Sequence, residues 1–289
     1  MKNSIFKLLF IFSSLLILTS CKAENIEFDG QSALQFAQNQ MDFGPRVPGS
    51  QAHADTIDWI QTKLEEFGWE SEIQTETLSV TKIQNIVAKR DPNNGPWVII
   101  AAHYDSRFFS DQDSNANFQQ IPVPGANDGA SGVSVLLELA RVLPKEIQKN
   151  VWLVFFDAED QGRIENWDWI LGSQSFVNQL SGKPNAVIIL DMIGDKDLNI
   201  YYEKNSDKTL QEEIWSIAKD LGYEDSFIPE FKFAILDDHI PFVNKGIVAI
   251  DIIDFDYPYW HTSQDTMDKI SGESLEKVGK TIYHWLLLP

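Results

Sequence analysis

Three stretches of this chain are continuously apolar: Trp97-Val98-Ile99-Ile100-Ala101-Ala102, Val151-Trp152-Leu153-Val154-Phe155-Phe156 and Ala186-Val187-Ile188-Ile189-Leu190. Runs of that length without polar interruption predict strands covered on both faces. Ile247–Ile253 predicts another, and the looser alternation over Ser71–Val80 and Ile83–Lys89 predicts strands with one wetter face. Between them, apolar residues at helical spacing predict helices over Ser32–Met41, Ser131–Leu143, Ser173–Leu180, Leu210–Leu221 and Glu273–Leu288. One more runs to about Phe67 after the turn Phe43-Gly44-Pro45-Arg46-Val47-Pro48-Gly49-Ser50, whose glycines and prolines cannot continue a helix. Alternation of buried strands with helices predicts an α/β fold: a single-domain, three-layer α/β/α sandwich with a mixed, largely parallel central sheet. There is no internal repeat, low-complexity linker or break in composition, so one domain accounts for the chain.

Composition narrows the function. The 289 residues carry 43 acidic against 23 basic side chains, a net charge of −20, which argues against nucleic acid as a partner because phosphate binding needs a field of the opposite sign. Cys21 is the only cysteine, so no internal disulfide can form. Lys2 and Lys7 precede an apolar run from Leu8 to Leu18, followed by Thr19-Ser20-Cys21 and then the polar Lys22-Ala23-Glu24-Asn25. That order predicts an export signal over residues 1–20. The stretch Leu18–Cys21 resembles a bacterial lipobox, which implies lipidation of Cys21, a membrane-anchored tether over 21–30 and a catalytic domain over 31–289 facing the periplasm or cell exterior. Removing residues 1–20 takes away two lysines and leaves −22.

The polar residues that matter stand directly after the buried strands, where open α/β sheets place their ligand crevice. His103-Tyr104-Asp105 follows one, Asp157, Glu159 and Asp160 the next, and Asp191 the third; Asp128 lies in the small-residue loop Gly125–Gly132 before a helix, and Trp260-His261-Thr262 follows the last strand. Singly, each has an ordinary explanation, with Asp128 as a helix cap, Asp157 or Asp191 as a turn former and His261 as a satisfied polar group. Collected at one edge without cysteine, they point to a divalent cation with nitrogen and oxygen ligands, zinc above all, with a coordination position left open. So many carboxylates at one crevice would otherwise repel one another.

The chain resembles the zinc-dependent M28 peptidases, and among them the glutaminyl-peptide cyclotransferase (glutaminyl cyclase) branch. The stretches that carry the likeness occur in the same order: Pro45–Ser50, His103-Tyr104-Asp105-Ser106, Asn127-Asp128-Gly129-Ala130, Phe155–Asp160, Leu171-Gly172-Ser173, Leu190–Gly194, Asp237-Asp238-His239-Ile240-Pro241-Phe242 and Trp260-His261-Thr262. The last two resemble the cyclases more than the aminopeptidases. The resemblance implies one Zn2+ held by Asp128, Asp160 and His261, Glu159 as proton shuttle, Asp191 and Asp237 as a hydrogen-bonded acid pair, and Trp260 in the substrate wall. The implied substrates are peptides or proteins beginning with glutamine, converted to pyroglutamate with release of ammonia. In the two-zinc aminopeptidases His103 and Asp191 complete a second site, with Asp105 orienting His103; both residues are present, so this alternative stays open. A binding domain without activity is a third. Asp160 stands where the cyclase pattern carries glutamate, and its shorter stem requires the backbone to approach the metal more closely.

Weaker candidates remain. His239 with Asp238 is expected to open a helix; His53 and His284 are placed on surface helices; Arg46 and Arg107 are expected at the crevice rim. Trp167 and Trp169 either line the substrate wall or cover the sheet.

Overall fold

The computed structural model describes residues 27–78, 81–90, 95–164 and 167–289. The export signal, Cys21 and most of the tether therefore lie outside the described residues. In chain order the elements are α1 (Gly30–Met41), α2 (Gln51–Glu66), β1 (Glu70–Leu78), β2 (Thr81–Lys89), β3 (Trp97–His103), α3 (Ala130–Val142), β4 (Asn150–Phe156), α4 (Leu171–Gln179), β5 (Ala186–Asp191), β6 (Ile200–Tyr202), α5 (Lys208–Asp220), β7 (Phe227–Phe231), α6 (Ile240–Asn244), β8 (Ala249–Ile253) and α7 (Gly272–Leu287). No helix among the described residues is long and apolar enough to cross a membrane.

The central sheet has the order β1-β2-β4-β3-β5-β8. β1, β2 and β4 pair antiparallel, whereas β4, β3, β5 and β8 run parallel. The continuous apolar runs are explained by what covers them. Val98, Ile100, Ala102, Leu153, Phe155, Ile188 and Leu190 point to one face, into a core shared with residues of α1, α2, α3, α5 and α7. Ile99, Ala101, Val154, Phe156, Val187 and Ile189 point to the other, against Phe176 and Val177 of α4 and Phe242 of α6. Successive strand residues face opposite sides, so the expected three layers follow directly.

In α3 every residue except Arg141 is buried. Its first turn sits so close to β5 that a Cβ at Gly132 would lie 2.2 Å from the Leu190 carbonyl oxygen. Only glycine allows that approach, and it brings the loop carrying Asp128 to the end of β5. Register does the rest: His103 pairs with Phe156, and Asp191 with Ile253, so the parallel strands end along one line. A separate parallel pair, β6 and β7, lies outside the central sheet.

Candidate active site

The strand ends and the loops beyond them deliver two groups of ligating atoms that share one residue. Asp128, Asp160 and His261 form the first, and His103, Asp128 and Asp191 the second; all are buried, and within each group the atoms lie no more than 4.8 Å apart. His261 Nε2 is 2.6 Å from Asp160 Oδ1 and 3.6 Å from Asp128 Oδ2. His103 Nε2 is 3.1 Å from both Asp128 Oδ1 and Asp191 Oδ1. Four donors held tetrahedrally about zinc at 2.0–2.1 Å stand about 3.3 Å from each other, so these spacings suit that ion. Asp128 Oδ2 and Asp160 Oδ2 are buried without any hydrogen-bond partner, a state that a coordinated cation relieves. The set of nitrogen and oxygen donors therefore fits zinc.

Other buried groups hold the ligand loops. Asp105 accepts from the N–H groups of Glu159 (3.1 Å) and Asp160 (3.3 Å) and from Gln161 Nε2 (2.8 Å), while His103 Nδ1 lies 3.4 Å away. One carboxylate thus orients His103 and the loop after β4 together. Arg107 donates to the carbonyl oxygens of Asp160 (2.7 Å) and Gly162 (3.2 Å). Drawn in from both sides, Asp160 reaches His261 despite its short stem. Asp265 accepts from the N–H groups of Asn127 (2.9 Å) and Asp128 (3.1 Å) and from the Tyr257 hydroxyl (2.6 Å). A Cβ at Gly129 would lie 2.6 Å from His103 Nε2, so the absence of a side chain lets the Asp128 loop and the imidazole meet. Ala158, Met192 and His261 have φ of 53°, 46° and 55°. Each such left-handed residue costs about 1–2 kcal/mol, which the packing around the site must offset.

Burial dominates the electrostatics. It pushes the Glu159 carboxyl well above its ordinary range, and the charge of Asp160 pushes it further. Burial raises Asp160 to about 6, with Asp128 adding to the effect, and Asp191 to about 7. Burial alone would lower His103, but contacts to Asp105, Asp128 and Asp191 outweigh it and hold the imidazole well above its usual value. Burial would also raise Asp105, yet His103 and the N–H donors keep it low.

These carboxyls open into a cavity of about 300 Å3 lined by Asp128, Glu159, Asp160, Asp191 and Asp237 and by an apolar wall that includes Met192, Phe233, Ile235, Phe255 and Trp260. Two indoles stack on His261: Trp260 at 3.8 Å between centroids, and Trp169, also in the cavity wall, at 5.9 Å. Trp167 packs instead on Phe108.

Several placements differ from expectation. Asp191 and Asp237 both line the cavity but have different partners: Asp191 bonds to His103 at 3.1 Å, whereas Asp237 faces Asp251 of β8. His53 is not on the surface. It is buried and bonded to Asp157 at 2.8 Å, because it falls on the stripe of α2 that also buries Ile57, Ile60 and Leu64. Arg46 and Arg107 are buried, not at the rim; Arg46 donates to the carbonyl oxygens of Tyr104, Pro124 and Gly125, and burial pulls its guanidinium down to about 10. His239 opens α6 but makes no side-chain cap there; it is buried, 3.2 Å from Glu203. His284 is exposed as expected. Sequence reading passed over Asp251, Asp265 and Glu203. Asp251 alone carried a visible signal, as the one acid inside the apolar run Val248–Ile253.

Residues 85–286 match the model of peptidase family M28. The chain is 28% identical over 285 residues to the aminopeptidase YwaD of Bacillus subtilis, an alignment that covers 90% of this chain and 58% of that protein, so the chain spans less than two thirds of that relative's length. It is similar to the crystal structure of Porphyromonas gingivalis glutaminyl cyclase, with TM-score 0.86, 34% identity, and coverage of 90% of this chain and 99% of that one. A Zn-dependent exopeptidase from Parabacteroides distasonis gives TM-score 0.87 and 34% identity over 92% and 100% of the two chains.

Proposed function

The chain belongs to peptidase family M28, and from that premise we propose that it is a zinc-dependent glutaminyl-peptide cyclotransferase, which closes the N-terminal glutamine of a peptide or protein to pyroglutamate and releases ammonia. The observation that carries this reading is the shared cavity. Asp128, Asp160, the raised carboxyl of Glu159 and the indole of Trp260 line one space large enough for a glutamine residue, and His261 stands behind them, 2.6 Å from Asp160 and stacked on Trp260. The likeness to a solved glutaminyl cyclase over 90% of the chain supports it.

When held by Asp128, Asp160 and His261, zinc supplies a Lewis acid toward the glutamine γ-carbonyl. In the reaction the α-amino nitrogen bonds to the γ-carbon and the bond from that carbon to the amide nitrogen breaks. Glu159 takes the proton that the amine loses and gives it to the departing nitrogen, which leaves as ammonia; a carboxyl held well above its ordinary range suits both transfers. Trp260 and the apolar wall cover the glutamine methylenes and exclude water, so that the amine meets no competing nucleophile. Asp191 and Asp237, on the same cavity, are placed to accept from the substrate's N–H groups.

The test is metal content together with ammonia release from a dipeptide that begins with glutamine: one zinc per chain with ammonia is the expected result. Two zincs with release of a free amino acid would replace this reading by a two-zinc aminopeptidase. The observation favouring that second reading is the group His103, Asp128 and Asp191, which shares Asp128 with the first. We also propose that the protein is exported and anchored through a lipid on Cys21. Cys21→Ser should then release it from the membrane fraction and abolish fatty-acid labelling.

A further inference from the structure

Behind Asp237 the protein buries a second set of ionisable groups, Asp251, His239 and Glu203, that do not line the cavity. Asp251 sits in the middle of β8, fully buried, and its two carboxyl oxygens have no N–H or O–H donor. Asp237 Oδ2 has none either. The two carboxyls face each other, an arrangement that disfavours charge on the buried Asp251. Burial and the Asp237 charge accordingly push Asp251 well above the ordinary carboxylate range.

On its other side Asp251 Oδ2 lies 3.9 Å from His239 Nδ1, and His239 Nε2 lies 3.2 Å from Glu203 Oε2. Glu203 is a junction. Its Oε2 accepts from the N–H groups of Asn205 and Ser206, both at 2.8 Å, and from the Ser206 hydroxyl at 2.9 Å; its Oε1 accepts from the Ile235 N–H at 2.9 Å. The Ser206 hydroxyl in turn accepts from the Asp251 N–H at 3.0 Å. One carboxylate therefore ties together the cavity wall at Ile235 and, through Ser206, the strand that carries Asp251, and it stands beside the imidazole of His239, whose two ring nitrogens are buried without a hydrogen-bond partner.

We propose that Glu203 and His239 are positioning residues for the cyclisation: His239 holds Asp251 against Asp237, and Glu203 fixes both His239 and the Ile235 wall relative to β8. This rests on the cyclotransferase reading. It accounts for five buried polar groups that stability alone does not, since an apolar strand interior at Asp251 would pack without any desolvation penalty.

His239→Gln should lower kcat about 10- to 100-fold, the effect of a small misplacement of a reacting group, with KM for a Gln-initiated peptide within about twofold of the parent. Glu203→Gln should lower kcat similarly and also raise KM, because the wall at Ile235 loosens. The double variant Asp251→Asn with His239→Gln should be no slower than the slower single variant, since the residues act through one another. As a comparison, Glu138→Gln alters a buried carboxylate of α3 that holds Arg141 and the Asp29 N–H; it should lower thermal stability and leave kcat unchanged. Ammonia release by the parent protein tests the cyclotransferase reading by itself, and the ratios of variant to parent test this inference. An unchanged kcat in folded His239→Gln, additive losses in the double variant, or the loss of one bound zinc on changing His239 would overturn it. If the buried variants do not fold, Ser206→Ala decides: a drop in kcat of about threefold supports the inference, and parent-like kcat overturns it.

Discussion

The two ligand groups that share Asp128 differ in what already occupies their centres. In the group Asp128, Asp160 and His261, two carboxylate oxygens are left without partners and two indoles stack on His261. In the group His103, Asp128 and Asp191, one imidazole nitrogen stands 3.1 Å from an oxygen of each acid, and the surrounding charges favour a proton there. The difference teaches that two groups drawn from one donor inventory and sharing a residue need not be equivalent, so the number of ions bound is decided by measuring it.

The comparison can be broken at its shared member. Asp128→Asn should remove zinc and lower ammonia release by about 1,000-fold or more, since the Lewis acid is lost with it; retained zinc by elemental analysis would show that Asp160 and His261 suffice. Glu159→Gln should cost about 100- to 10,000-fold in kcat while leaving the metal bound, and metal loss would mean that Glu159 is a ligand. His103→Gln sharpens the contrast: with one zinc per chain, the ion count stays the same and turnover falls about 10- to 100-fold as support for the ligand loops is lost, whereas a count falling from two to one would make the second group a true metal site. The smallest effect is expected at Asp254, just beyond β8 and in neither group. Burial pushes its carboxyl up to about 7, so the folded chain holds that proton more tightly than the unfolded chain. Its unfavourable contribution is absent below about pH 4 and grows as pH rises through about 7, lowering stability. Thermal melts of Asp254→Asn should show a weaker fall of Tm over that window than the parent; identical slopes would refute the assignment.

Much of the fold was legible because burial on both faces leaves a plain mark: the runs at 97–102, 151–156 and 186–190 all became central strands. Strand ends then located the crevice. β6 and β7 escaped notice because Ile200–Tyr202 is only three residues long and Phe227–Phe231 carries Pro229 and is largely exposed. Pairings within the site were less legible, since they depend on register between distant strands. Nothing local to Asp237 announces that it faces Asp251 as well as sharing the cavity with Asp191. His53 is different: its spacing from Ile57, Ile60 and Leu64 already placed it on the buried stripe of α2, and its imidazole had to find a partner such as Asp157.

The stacking of Trp260 and Trp169 on His261 has a consequence for the bench. Indole emission responds to a charge or a metal at contact distance, so changes at this imidazole should register in the protein's intrinsic fluorescence. Cation uptake and release can then be followed in real time, without dye or substrate, and Trp169→Phe with Trp260→Phe supplies the silent reference.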